Sequence, residues 1–225
     1  MEKRHPVKIK SIGFINHDVL HVVTEKPDNY DYTPGQATHV RIDRDGVRDE
    51  KGAFTFTNLP EEDHLEFTIK TYPSHDGVTD KFRTLKEGDT LLLEEVYGVI
   101  EYKGKGVFIA GGAGITPFLA IIKMLVKEKK IEGNTLIFAN KKKEDIILKD
   151  TFEPVLGENF INILSDEKID KYAHGEVDKE FLKEKINDFS QYFYVCGPPK
   201  MIDSVEKDLK ALGVKQSQIV KEDLD

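Results

Sequence analysis

The feature that most constrains this chain is a single change in the rhythm of its apolar residues, close to Gly104. Before it, apolar and polar residues alternate in short runs rich in β-branched and aromatic side chains. The runs are Val7-Lys-Ile-Lys-Ser-Ile12, His21-Val-Val-Thr24, His39-Val-Arg-Ile42, Ala53-Phe-Thr-Phe-Thr57, Leu65 to Thr71 and Thr90 to Leu93. A period of two puts successive side chains on opposite faces, so each run reads as a half-buried strand, and the Asn, Asp, Gly and Pro residues between them supply turns. Strands of this kind in succession predict a small antiparallel β-barrel or sandwich.

After Gly104 the rhythm becomes apolar strand, helix, apolar strand. Gly106-Val-Phe-Ile-Ala110 leads into a helix predicted over 117–129, and Thr135-Leu-Ile-Phe-Ala139 into a weaker one near Lys149. Phe160-Ile-Asn-Ile-Leu164 precedes a helix over 178–186, Tyr192-Phe-Tyr-Val-Cys196 one over 200–212, and a last strand is expected near Gln218-Ile-Val220. Such alternation predicts a doubly wound parallel α/β sheet that binds ligands beyond the carboxyl ends of its strands. The expected division is therefore a barrel domain at 1–103 and a nucleotide-binding domain at 104–225, joined at Lys103-Gly-Lys-Gly106.

Composition removes several function classes. Acidic residues number 41 against 33 basic ones, a net charge of −8, which disfavours a nucleic-acid binder because phosphate binding needs a basic face. Cys196 is the single cysteine, so a disulfide, a cysteine zinc site and a cysteine-ligated iron–sulfur cluster are excluded within this chain. Met1 to Lys10 has no signal-like apolar core, and no run approaches the ~18 apolar residues of a membrane span. A cytoplasmic protein without membrane or nucleic-acid partners is expected, and no oligomeric state is implied. His17 and His21 flank a turn into a strand rather than one helical face, and no metal site is expected.

The sharpest motif is Gly111-Gly-Ala-Gly-Ile-Thr-Pro117, directly after one predicted strand and before a helix. Its glycines let the backbone turn tightly and approach a ligand, Thr116 is placed to cap the helix, and Pro117 suits the first turn. Free amides and the helix dipole would then face a pyrophosphate. A bare strand-to-helix turn has the same residues, and the spacing departs from the Gly-x-Gly-x-x-Gly dinucleotide fingerprint. A second motif, Tyr194-Val-Cys-Gly-Pro-Pro199, ends another predicted parallel strand. A lone cysteine there also fits as a small buried hydrophobe.

Together, in this order and behind a barrel, these motifs resemble the ferredoxin–NADP reductase superfamily of flavin-dependent oxidoreductases, and the resemblance covers nearly the whole chain. It implies that Gly111, Gly112, Gly114, Ile115, Thr116 and Pro117 hold the pyrophosphate of a nicotinamide nucleotide. It places Cys196, Gly197, Pro198 and Pro199 on the nicotinamide side, with Cys196 beside the reacting ring. Phe54-Thr55 is similar to the flavin motif Arg-x-Tyr-Ser, which implies that Phe54 packs on the isoalloxazine and Thr55 reaches its N5. The motif's arginine falls on Gly52, with Lys51 as a substitute that lacks the bidentate fork. Ile69, Lys70, Thr71 and Tyr72, and then Gly77, Val78 and Thr79, resemble the segments that hold the flavin's ribityl and diphosphate groups, which favours FAD over FMN. Glu222 resembles a carboxylate placed near the nicotinamide from the last residues, a position equally compatible with a frayed terminus.

The implied activity is transfer of hydride from NADH or NADPH to flavin, with electrons leaving to a separate acceptor: ferredoxin, flavodoxin, a haem protein or an oxygenase component. Two other readings stay open: a regulatory nucleotide-binding module that has lost flavin, suggested by Gly52, and an electron-transfer subunit of a larger complex. Adenosine ribose is expected near Asn140 and Lys141 in Phe138-Ala-Asn-Lys-Lys-Lys-Glu-Asp145. The three lysines favour a 2′-phosphate, whereas Glu144-Asp145-Ile-Ile-Leu148 resembles NADH-using cytochrome b5 reductases. A weak preference for NADH is expected.

Overall fold

The computed structural model describes residues 3–73, 77–98 and 100–222. Both rhythms fold as their periods require. In the first half, β1 (His5–Phe14), β2 (Val19–Glu25), β3 (Ala37–Ile42), β4 (Gly52–Thr55), β5 (His64–Lys70) and β6 (Thr90–Tyr97) form one antiparallel sheet in the order β4-β3-β6-β1-β2-β5. The isolated antiparallel bridge Phe56↔Phe67 links the two outer strands and nearly closes the sheet into a barrel. Alternate residues such as Val7, Ile9, Val22, Val40, Phe67 and Leu91 meet inside it as one core. A one-turn helix, α1 (Val78–Lys81), sits between β5 and β6.

In the second half, β7 (Gly106–Gly111), α2 (Thr116–Lys127), β8 (Thr135–Asn140), α3 (Lys149–Leu156), β9 (Phe160–Leu164), the two-residue β10 (Ala173–His174), α4 (Lys179–Lys185), β11 (Tyr192–Cys196), α5 (Pro199–Ala211) and β12 (Ile219–Lys221) follow. The sheet is parallel, in the order β10-β9-β8-β7-β11-β12. Its strands are continuous apolar runs because both faces are covered. Phe108, Ala110, Phe138 and Tyr194 pack with α2 and α3 on one side, and Val107, Ile109, Ile137 and Val195 with α4 and α5 on the other.

The strand order reverses direction between β7 and β11, and a doubly wound sheet opens its ligand crevice at such a point. Val19, from β2, belongs to the core on the α2 face of the sheet, so barrel and sheet share apolar contact. Tyr194 ties the connection down: its hydroxyl accepts from the Lys103 and Gly104 amides and donates to the Gly104 carbonyl at 2.6 Å. Among the described residues no helix is long and apolar enough to cross a membrane.

Candidate functional site

Between the barrel and the carboxyl ends of the parallel strands lies a cleft of about 1030 Å³. Four glycines of the two sheet motifs shape it, for different reasons. Gly112 has φ +51, and a Cβ there would meet nothing within 4 Å, so the need for glycine is conformational and bare backbone faces the cleft. Gly114 and Gly197 are packing glycines. A Cβ on Gly114 would lie 2.2 Å from the Cys196 carbonyl oxygen, and one on Gly197 3.1 Å from the Gly111 backbone. Gly111 leaves room for a side chain, since its Cβ would sit 2.4 Å from Met201 Sδ. The β7 and β11 ends therefore interlock backbone to backbone.

The helix after this loop starts differently from the expectation. Thr116 is the first residue of α2, not its cap, and its hydroxyl donates to the Ala113 carbonyl at 3.1 Å. A 3-10 turn over Gly112–Ile115 runs straight into α2, so the Thr116 amide is already bonded to the Ala113 carbonyl and Pro117 has none to give; the amides that open this helical run are those of Gly112, Ala113 and Gly114, with no side chain capping them. Pro117 does occupy the first turn. Ile115 is fully buried in the sheet core, so only its backbone can contribute to the loop.

On the barrel side, Phe54, Thr55, Ile69, Lys70 and Thr79 line the same cleft as Gly111, Gly112, Gly114, Thr116, Pro117, Asn140, Lys141, Cys196, Gly197, Pro198 and Glu222. Phe54 lies edge-on to Phe82, with ring centroids 5.2 Å apart. Its ring also explains Gly52: a Cβ at that position would stand 2.6 Å from Phe54 Cζ and 2.9 Å from Val78 Cγ1. Aromatic and aliphatic carbon thus occupies the space beside Gly52, where the family motif has an arginine. Val78 packs there and does not line the cleft.

Lys51 does not replace the arginine. It stands just before β4, and its Nζ lies 3.3 Å from the buried Glu94 carboxylate, which also binds Arg41 Nε at 2.7 Å. Thr71 is likewise turned away. It is 2% exposed, and its amide and hydroxyl both donate to the Asp18 carbonyl, at 2.7 and 2.9 Å. Gly77 precedes α1 without lining the cleft, while residues 74–76 lie outside those described. Pro199 opens α5 behind Pro198 and does not line the cleft either.

The cation on the barrel wall is Lys70, held by Asp18 at 2.8 Å. Asp18 itself was not legible in the sequence, because a polar residue in an Asn-His-Asp turn looks like any other turn residue. Tyr72, at the end of the expected Ile69–Tyr72 stretch, lines the cleft, and Ser165, Glu176, Lys200 and Met201 line it without having been expected there. His17 approaches Asp18 and Asp145 at 3.6 and 3.5 Å, and one ligand atom from each of the three lies within 4.8 Å of the others. Lys70 already supplies cationic charge to that group, and His21 stands elsewhere, 3.5 Å from Glu66.

Burial sets the protonation states at the switch point. Cys196 is 8% exposed, and desolvation, reinforced by the negative charge of Glu222, pushes its thiol up to about 12. It is a neutral thiol at physiological pH, suited to packing beside a ring and unsuited to nucleophilic attack. Burial also raises the Glu222 carboxyl. Carboxylates hold the loop after β8 by its backbone: the Lys142 amide donates to Asp145 at 2.9 Å and the Lys143 amide to Glu167 at 2.7 Å. The Lys142 ammonium stands 3.8 Å from Glu144, and of the three lysines Lys141 lines the cleft.

The donor set fits a flavin and a dinucleotide: an apolar aromatic wall with a threonine and a lysine on one side, and the bare backbone of the Gly112–Gly114 turn on the other. Comparison with known proteins agrees. Residues 4–90 match the FAD-binding domain family and residues 108–207 the oxidoreductase NAD-binding domain family. NADH-cytochrome b5 reductase 2 of Mycosarcoma maydis is 28% identical over 221 residues, covering 88% of this chain and 62% of that protein. NADH-cytochrome b5 reductase 1 of Aspergillus terreus is 30% identical over 179 residues, covering 71% and 60%. The chain thus spans about six tenths of the length of these curated relatives. Among solved structures, the FAD/NAD-binding domain of nitric oxide dioxygenase from Vibrio cholerae superposes with a TM-score of 0.85 at 23% identity, covering 99% of this chain and 98% of that one. A ferredoxin NADP+ reductase from Neisseria gonorrhoeae gives 0.85 at 21%, covering 99% of each chain.

Proposed function

We propose, from the premise that this chain belongs to the ferredoxin–NADP reductase superfamily, with an FAD-binding domain followed by an oxidoreductase NAD-binding domain, that it passes electrons from NADH to a separate one-electron acceptor. The observation that carries the reading is one cleft bounded by Phe54, Thr55 and Lys70 on the barrel and by Gly112, Gly114 and Cys196 on the sheet. A bound flavin supplies the conversion of a two-electron hydride into single electrons, which no side chain performs. The protein's part is alignment.

In this reading the backbone of the Gly112–Gly114 turn that leads into α2 receives the dinucleotide's pyrophosphate, and Lys70 neutralises phosphate on the barrel side. Cys196, as a neutral thiol, shapes the wall beside the nicotinamide, and Thr55 offers a hydroxyl at the flavin edge. Glu222 closes the same end of the cleft. The acceptor we favour is a small haem protein, on the strength of the NADH-cytochrome b5 reductases among the relatives. The match of residues 4–90 to the FAD-binding domain family supports flavin binding despite the absent motif arginine, against a flavin-free regulatory module.

The test is spectroscopic. Purified protein is expected to be yellow, to release FAD on denaturation, and to bleach on anaerobic addition of NADH. A colourless protein that takes up no added FAD overturns the reading.

A further inference from the structure

The hydride donor and acceptor of the proposed reaction rest on different domains, so the gap between them depends on how the sheet is registered against the barrel. We propose that Glu66 is the positioning residue of that register, clamping α2 to the barrel through Lys123. The inference rests on the reading above for its kinetic consequence, though not for its structural one.

Glu66 lies on β5, four residues before Lys70, whose side chain lines the barrel wall of the cleft. Lys123 lies on α2, the helix that continues directly from the Gly111–Ile115 loop. Its Nζ is 3.0 Å from Glu66 Oε2. One carboxylate therefore connects the strand that forms one wall to the helix that carries the other. One turn further along the same helical face, Lys127 pairs with Glu61 of the barrel, and the two bridges together resist rotation of α2 as well as its withdrawal.

Glu66 is built as an anchor rather than as a passing surface charge. Its side chain is 18% exposed, and its backbone is fixed on both sides: the amide donates to Asn58 Oδ1 at 2.9 Å and the carbonyl accepts from the Thr57 amide at 2.9 Å. His21 Nε2 stands 3.5 Å from Oε2 and His64 Nε2 3.2 Å from Oε1, so barrel imidazoles flank the carboxylate and Lys123 completes its shell from the other domain. His21, Lys123 and His64 together hold the Glu66 carboxyl far below the usual range, against the cost of its burial. Two carboxylates of the turn before β5 have their own partners, Asp63 at His64 and Glu61 at Lys127. Partly buried pairs with fixed partners are screened less than exposed ones, which suits a contact that has to hold a distance.

A double-mutant cycle on the full, flavin-loaded chain tests the clamp, with Glu66→Gln, Lys123→Met, their combination, and Lys123→Arg as the conservative control. Each neutral variant is expected to lower kcat for NADH-dependent reduction of ferricyanide roughly tenfold with KM for NADH within about twofold, because register and not nucleotide affinity is lost. The double variant is expected to be no slower than either single one, and Lys123→Arg to keep the parent rate. Hydrogen exchange provides a readout independent of turnover: amides of α2 and of β5 are expected to exchange faster in both single variants, with flavin content unchanged. Additive losses in the double variant, or unchanged exchange in α2 and β5, overturn the clamp. Should the parent chain fail to oxidise NADH, the functional reading falls while the exchange result still decides the clamp. Should Glu66→Gln not fold, Lys123→Met, on the exposed side of α2, carries both readouts by itself.

Discussion

At the scale of single residues, two glycines of the cleft region serve opposite needs, one for a conformation and one for the absence of a side chain. Gly112 is of the first kind, with φ +51 and open space beside it. Gly112→Val is expected to fold and keep flavin but to lose productive nucleotide binding, since a β-branched side chain at positive φ forces the loop to a new path and covers the bare amides. Stopped-flow reduction across NADH concentrations checks this, and a parent-like concentration dependence would contradict the assignment. Gly52 is of the second kind. Gly52→Ala is expected to turn Phe54 away, with a loss of about 1–2 kcal/mol in stability and a changed flavin spectrum, because a Cβ 2.6 Å from its ring cannot be accommodated in place. Thermal unfolding and visible absorption of the variant measure both, and a parent-like spectrum would show that Phe54 does not border the flavin.

Among elements, the last strand matters beyond its three residues, because it delivers Glu222 to the cleft. β12 is tied to α5 by Glu206, which bridges Lys221 at 2.6 Å and Lys210, one turn on, at 2.6 Å. These two lysines bring the Glu206 carboxyl down to about 2, from an ordinary value near 4.5. A carboxyl lowered in the folded state stabilises it fully above the unfolded value and loses that contribution as pH falls from about 4.5 through 2. Glu206→Gln is therefore expected to cost about 1–2 kcal/mol at pH 7, a figure reduced for the exposure of Lys210, and close to nothing near pH 2. Chemical unfolding of both proteins across that range gives the comparison. A pH-independent difference would mean that packing and not charge is lost.

For the whole molecule, the choice of nucleotide depends on charges gathered from several strand ends. Of the three lysines after β8, Lys141 lines the cleft, while Glu167 and Asp145 accept from the amides of its two neighbours. A 2′-phosphate there would meet Lys141 at the cleft wall among nearby carboxylates, and no arginine of this loop to grip it with two bonds. NADH is expected to be preferred by a factor within about 10–100, with the NADPH rate falling further as salt rises. Ratios of kcat/KM at low and high ionic strength measure it, and a strong salt-insensitive preference for NADPH would show a phosphate pocket built by other residues.

The sequence by itself determined what depends on neighbours along the chain. Period two gave the barrel strands, continuous apolar runs gave the buried parallel ones, and Gly111–Pro117 and Cys196–Pro199 marked the strand ends that meet at the reversal of strand order. Site residues whose backbone faces the cleft were legible for that reason. Tertiary structure decided where side chains point once strands pair. It sent Lys51 to Glu94 and Thr71 to the Asp18 carbonyl, let Phe54 fill the space over Gly52, and brought Asp18, Glu176 and Lys200 into the cleft from segments without a pattern of their own. The bond between Glu66 and Lys123 belongs to the same class, because 57 residues separate its partners and only the docking of two domains makes them neighbours. Local periodicity specifies an element and its buried face, whereas a contact between elements depends on register and docking, which no single stretch of sequence encodes.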